Sequence, residues 1–92
     1  MIITVKAFAT LRTLMQTETR LDLGKGSTIA DLLRNLETLY PGLSHELFST
    51  PGHLNPLVNI LKNGRNIQHL QNLQTPLEEE DIIAVFPPAA GG

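Results

Sequence analysis

The residues best placed to do chemistry stand at positions 87–92, Pro87-Pro88-Ala89-Ala90-Gly91-Gly92, directly after the apolar run Ile82, Ile83, Ala84, Val85, Phe86. An ending in Gly-Gly makes chemical sense where the Gly92 carboxylate is itself the reactive group. Neither Gly91 nor Gly92 has a Cβ, so another enzyme can draw the backbone into a narrow channel and bring it close to a nucleotide. Pro87 and Pro88 end the preceding strand because neither can donate a ladder hydrogen bond. Their fixed φ favours an extended, stiff exit, and six extended residues reach roughly 20 Å from the folded body. The plain alternative is an idle, frayed terminus. The unbroken segment from Phe86 to Gly92, flush with a strand, argues for function.

Other candidates are weaker. His45, His53 and His69 match no helical or zinc spacing, and there is no Cys to assist them, so no metal site is expected. Gly24-Lys25-Gly26-Ser27 lies before a helix, where anions bind, but lacks the full spacing of a phosphate-binding loop. It reads as a turn from strand to helix. Glu78-Glu79-Glu80-Asp81 is either a solvated turn or an acidic docking patch. Phe8 and Phe86 are either core residues or exposed aromatic anchors for another protein.

A chain of 92 residues makes one domain, and its 41% hydrophobic and 17% charged content is that of a folded chain, not a disordered one. The net charge of −2 and the scattered basic residues leave no footprint for nucleic acid or for an anionic membrane. No apolar run is long enough to span a bilayer, and Met1 to Lys6 lacks the features of a signal peptide. With no Cys, a cytoplasmic location is the expectation.

The elements that must position the tail follow from periodicity. Ile2 to Phe8 alternates as a strand, with Ile3, Val5 and Ala7 on one face and Ile2, Thr4, Lys6 and Phe8 on the other. Thr17 to Leu23 alternates with Glu18, Arg20 and Asp22 on a wet face, which predicts antiparallel pairing with the first strand. Thr28 with Asp31 resembles a capping box, and Ile29, Leu32, Leu33, Leu36 and Leu39 or Tyr40 repeat at the helical period until Pro41-Gly42. Leu43 to Phe48 is expected to form a short second helical turn, and Ser49 to Pro56 a loop. Leu57 to Lys62 and Arg65 to Ile67 flank Asn63-Gly64, a strong hairpin signal. Gln68 to Pro76 is a connection anchored by Leu70 and Leu73. Ile82 to Phe86 is the last strand. The one long helix must pack across a mixed sheet. This is the β-grasp order, an α+β fold with the first and last strands parallel at its centre. It predicts a domain over residues 1–86 and a reactive tail over 87–92.

Four segments carry a family resemblance that covers nearly the whole chain. They are Phe8-Ala9-Thr10-Leu11-Arg12, Thr28-Ile29-Ala30-Asp31-Leu32-Leu33, Val58-Asn59 through Asn63-Gly64, and Phe86 to Gly92. The chain resembles the MoaD/ThiS family of ubiquitin-like sulfur carriers, in particular the small subunit of molybdopterin synthase. The Asn63-Gly64, Leu73 and Thr75-Pro76-Leu77 pattern is also similar to the small archaeal-type modifiers of the same family. The resemblance implies a non-catalytic carrier with no intrinsic cofactor. An adenylyltransferase of the ubiquitin-activating type uses ATP to adenylate Gly92. A sulfurtransferase then converts the adenylate to a thiocarboxylate. The large catalytic subunit of molybdopterin synthase receives the tail, and the sulfur builds the dithiolene of a molybdenum or tungsten cofactor. Gly91 and Gly92 are the reactive residues on this reading. Phe8, Arg12, Phe86, Pro87, Pro88, Ala89 and Ala90 contact partners. Conjugation of Gly92 to lysines of other proteins, and sulfur delivery in thiamine or cysteine synthesis, are alternatives that begin with the same adenylate. Where the family commonly has Gly in the turn before the last strand, this chain has Glu79, which in a left-handed conformation would cost about 1–2 kcal/mol.

Overall fold

The computed structural model describes residues 1–88. Strand β1 (Ile2–Ala7) pairs antiparallel with β2 (Glu18–Asp22), with Ile3 opposite Leu21 and Val5 opposite Thr19. A 3-10 turn, Ala9–Thr13, joins them and buries Leu11. Helix α1 (Ile29–Leu39) follows, then the single turn α2 (Leu43–Leu47), strands β3 (Phe48–Thr50) and β4 (His53–Leu54), β5 (Asn59–Lys62), β6 (Arg65–Asn66) and β7 (Ile82–Phe86). The main sheet has the order β2-β1-β7-β5-β6, and β1 and β7 run parallel at its centre. This is the β-grasp arrangement, and both central strands have a neighbouring strand on each side.

The local reasons are visible. At the start of α1, Thr28 Oγ1 accepts from Asp31 N (3.4 Å), and Asp31 Oδ2 accepts from Thr28 N (2.9 Å), a reciprocal capping box. The helix buries Ile29, Leu32, Leu33 and Leu36 against the sheet. Each contributes about 2 kcal/mol of gross transfer free energy, which the entropy of ordering then opposes. Tyr40, not Leu39, closes the apolar stripe: Leu39 is exposed, whereas the Tyr40 hydroxyl lies 3.0 Å from Thr19 Oγ1. Gly42 turns the chain at φ +99°, and the Glu37 carboxylate accepts from Gly42 N (3.1 Å) and Ser44 N (2.6 Å). Those bonds hold α2 against the end of α1. At the hairpin, Asn63 and Gly64 both have positive φ (+49° and +85°), the requirement of a turn whose twist matches its strands.

Three expectations need correction. Ser49 to Pro56 is not simply a loop, because Phe48–Thr50 and His53–Leu54 form a small antiparallel ribbon around Pro51-Gly52. Its strands, of three and two residues, are too short to show a period. Leu57 stands outside β5 and is exposed. Ile67 begins a 3-10 turn and does not extend β6. In the acidic turn the left-handed residue is Glu80 (φ +67°), not Glu79. The Glu79 side chain instead reaches β1, where its Oε2 accepts from Ile2 N at 2.6 Å and ties the turn to the start of that strand.

Candidate functional site

The register places Phe8 and Phe86 together. Ala7 pairs with Val85, and Phe8 N donates to Val85 O at 3.3 Å, so the next residues along, Phe8 and Phe86, sit side by side. Ile3, Val5 and Ala7 point with Ile83 and Val85 into the core under α1. Phe8 and Phe86 therefore point to the opposite, open face. Their rings stack with centroids 4.4 Å apart and planes 13° from parallel. Each is half-buried.

Arg12 joins them from the 3-10 turn. Its guanidinium carbon is 5.8 Å from the centroid of the Phe8 ring, within cation–π range. Its Nε donates to Ala7 O at 3.3 Å. The left-handed Ala9 (φ +54°) reverses the chain so that Arg12 returns over Phe8. Beside this group, a shallow recess of about 280 Å³ is lined by Lys6, Phe8, Arg12, Thr17 and Glu18. Lys6 and Glu18 are cross-strand partners there. Phe8, Arg12 and Phe86, three residues singled out in the sequence, thus form one patch. Pro87 and Pro88 continue from it, half-buried. Ala89, Ala90, Gly91 and Gly92 lie outside the described residues.

The sequence reading missed part of this face. Ile82 is 43% exposed, and Ala84 shares its face with Phe86. Leu61 pairs with Ala84 and Asn59 with Phe86 on the same side. The signal was present in the alternation of Ile82, Ala84 and Phe86 against Ile83 and Val85. A larger groove, about 630 Å³, runs between α1, α2 and the β3–β4 ribbon, and includes Leu33, Glu37, Leu47 and Phe48. It shares no residue with the aromatic patch.

The acidic turn is only partly solvated. Asp81 is 4% exposed, and its carboxylate accepts from Glu78 N and Asn63 Nδ2, both at 2.8 Å. Lys62 Nζ lies 3.4 Å from Asp81 Oδ2 and 2.9 Å from Glu78 Oε1, and also donates to Pro76 O at 2.8 Å. Burial by itself depresses the Lys62 ammonium, but the hydrogen bond to Glu78 and the charge of Asp81 outweigh it, and the net shift is upward. This cluster clamps the β5–β6 hairpin to the start of β7 and leaves Glu78, Glu79 and Glu80 at the surface.

A family profile described as the ThiS family matches residues 5–92, almost the full length. The chain belongs to the ThiS family. Among curated ThiS-like relatives, small archaeal modifier protein 3 of Haloferax volcanii is 47% identical over 66 residues, covering 72% of this chain and 71% of that protein. Sulfur carrier protein CysO of Mycobacterium tuberculosis is 33% identical over 69 residues, covering 73% of this chain and 74% of its own. The crystal structure of SAMP1 from Haloferax volcanii superposes with a TM-score of 0.86 at 29% identity, covering 99% of each chain. The ThiS family assignment and the β-grasp fold thus agree with the resemblance seen in the sequence. Among the described residues no helix is long and apolar enough to cross a membrane.

Proposed function

We propose that this chain is a ubiquitin-like modifier and sulfur carrier that acts through the carboxylate of Gly92. An adenylyltransferase of the ubiquitin-activating type joins that carboxylate to AMP. The adenylate then has two fates: a sulfurtransferase converts it to a thiocarboxylate, or a lysine amine of another protein takes the acyl group. A carboxylate is a poor electrophile because its charge is delocalised, and joining it to the phosphate of AMP supplies a leaving group. The small protein contributes no general acid or base. Its folded face provides recognition, and its tail provides reactivity.

The observation that carries this reading is the position of β7. It is a central, doubly paired strand whose last residue, Phe86, is stacked on Phe8. The sequence runs from it through Pro87 and Pro88 to Gly91-Gly92. A rigid root favours presentation of the tail at a fixed place relative to the open face. That face, with Phe8, Arg12, Phe86 and Ile82, has the aromatic and arginine content of a protein contact. The 47% identity with a small archaeal modifier protein favours conjugation over the pterin reading. Delivery of sulfur to the large subunit of molybdopterin synthase is supported by Phe86-Pro87-Pro88 and by the 27% identity with a putative molybdopterin converting factor, subunit 1, from Pyrococcus furiosus. Identity with CysO supports sulfur carriage without naming the acceptor.

The test is twofold. Intact mass spectrometry of the chain from its host should show an oxygen-to-sulfur exchange at Gly92. Blots of an N-terminally tagged chain should show a ladder of conjugates that disappears when Gly91 and Gly92 are deleted. Persistence of the ladder in the deleted chain sinks the conjugation reading. An unmodified terminus in cells that also lack conjugates sinks both.

A further inference from the structure

We infer that Lys25 is the acceptor amine through which copies of this chain join one another, its Nζ taking the Gly92 acyl group of a second copy. The inference rests on the proposed activation of Gly92 and adds the acceptor.

The sequence has three lysines, Lys6, Lys25 and Lys62, and with the amine of Met1 they make four candidate nucleophiles. Acyl transfer needs an amine whose lone pair can approach a carbonyl along an open path. Lys62 fails this condition. Its side chain is only 13% exposed, and its ammonium is held by Pro76 O, Glu78 and Asp81. The Met1 amine donates to Leu23 O at 2.6 Å and Asp22 Oδ1 at 3.2 Å. Lys6 is half-buried in the recess beside Phe8, opposite Glu18, on the face an activating partner would cover.

Lys25 differs from all three. It is exposed at the tip of the turn between β2 and α1, and has no ion-pair partner among the described residues. Its neighbours Gly24 and Gly26 are equally open: a Cβ built on either meets no atom within 4 Å. The backbone on both sides of Lys25 is therefore uncrowded.

The placement also permits growth. The Lys25 turn lies beside the start of β1, where Leu23 N donates to Met1 O at 2.8 Å. The tail departs after Phe86, beside the other end of β1. The length of β1 separates the two ends by about 20 Å. A bond at Lys25 thus leaves the same copy's Phe8–Phe86 face open.

ATP and the Gly92 carboxylate give the acyl-adenylate and pyrophosphate. The neutral Lys25 amine attacks the Gly92 carbonyl; a C–N bond forms, the C–O bond to phosphate breaks, AMP leaves, and the amine proton passes to solvent.

The experiment expresses the tagged full chain and its Lys25→Arg and Lys62→Arg variants in the native host, followed by tryptic mass spectrometry. Trypsin leaves residues 66–92 of the donor as a branch on the acceptor lysine, since no Lys or Arg follows Arg65. A branch on Lys25, lost with the self-linked bands in Lys25→Arg but retained in Lys62→Arg, is the expected result. Self-linked species bridged through Lys6, Lys62 or Met1 overturn the inference, as do conjugates to other proteins with no self-linked species. Absence of every conjugate overturns the conjugation reading and this inference with it. Limiting sulfosuccinimidyl acetate on the purified chain provides an independent measure: Lys25 should be acetylated first and Lys62 last, and the reverse order counts against the assignment.

Discussion

Phe8 and Phe86 are 78 positions apart in the chain, yet their rings stack at 4.4 Å because β1 and β7 run parallel in adjacent register. The stack fixes the last residue of β7 to the first residue beyond β1. It is the root from which the proposed reactive tail extends.

If the stack couples the two strands, Phe8→Ala and Phe86→Ala should each cost about 2 kcal/mol, and the double variant should cost less than their sum by about 1 kcal/mol. Urea denaturation of the three variants and the parent measures this. Strict additivity would falsify the coupling. Loss of conjugation in a variant that stays folded would place the aromatic pair in partner recognition as well.

Lys62 is the charge that holds the turn leading into β7. Lys62→Met leaves the buried Asp81 carboxylate without its cation and should cost about 3 kcal/mol. Adding Asp81→Asn should recover much of that loss. The pH dependence has a definite sign. The folded-state pKa of Lys62 is raised above its ordinary 10.5, so its contribution is fully present below that value and is lost as pH rises through the folded value. Denaturation above pH 10.5 should show a stability loss in the parent that is absent in Lys62→Met.

Asp31 and Glu37 govern the acid side. Hydrogen bonds from the Thr28 backbone lower the pKa of Asp31 below 3.8, and those from Ser44 and Gly42 lower Glu37 below 4.5. Depressed carboxylates stabilise the fold above their unfolded values and lose that effect as pH falls through the folded ones. Glu37→Gln should therefore flatten the acid limb of the stability curve below pH 4.5 while leaving the alkaline limb unchanged. An unchanged acid limb argues that the Glu37 bonds to α2 form equally well in the protonated state.

Of the four described non-glycine residues with positive φ, Ala9 and Glu80 are the two that are not asparagine, the residue that enters this region readily. Glu80→Gly and Ala9→Gly should each raise stability by about 0.5–1 kcal/mol, the relief of left-handed strain less the entropy of the added glycine. Thermal denaturation measures both. A loss of stability at Ala9 would mean that its methyl contributes packing that outweighs the strain.

Much of this molecule is written locally. Alternation over Ile2 to Phe8 and Ile82 to Phe86, the Thr28–Asp31 capping box and the Asn63-Gly64 turn each act within a few residues, so the chain alone determined the strands of the main sheet, the long helix and the β-grasp order. It also singled out Phe8, Arg12 and Phe86, the two aromatics because side chains alternate across a strand with period two and the arginine through the family motif. What only the tertiary structure decided depends on partners distant in sequence. Asp81 reads as one more member of a solvated acidic run, and becomes buried because Lys62 and Asn63 arrive from the neighbouring hairpin. The ribbon of β3 and β4 escapes notice because strands of three and two residues are too short to carry a period. The lysines are chemically identical in the chain; burial and hydrogen bonding contributed by other strands leave Lys25 open and hold Lys62 fast. Local sequence sets which way a side chain faces, whereas long-range packing sets what it meets there.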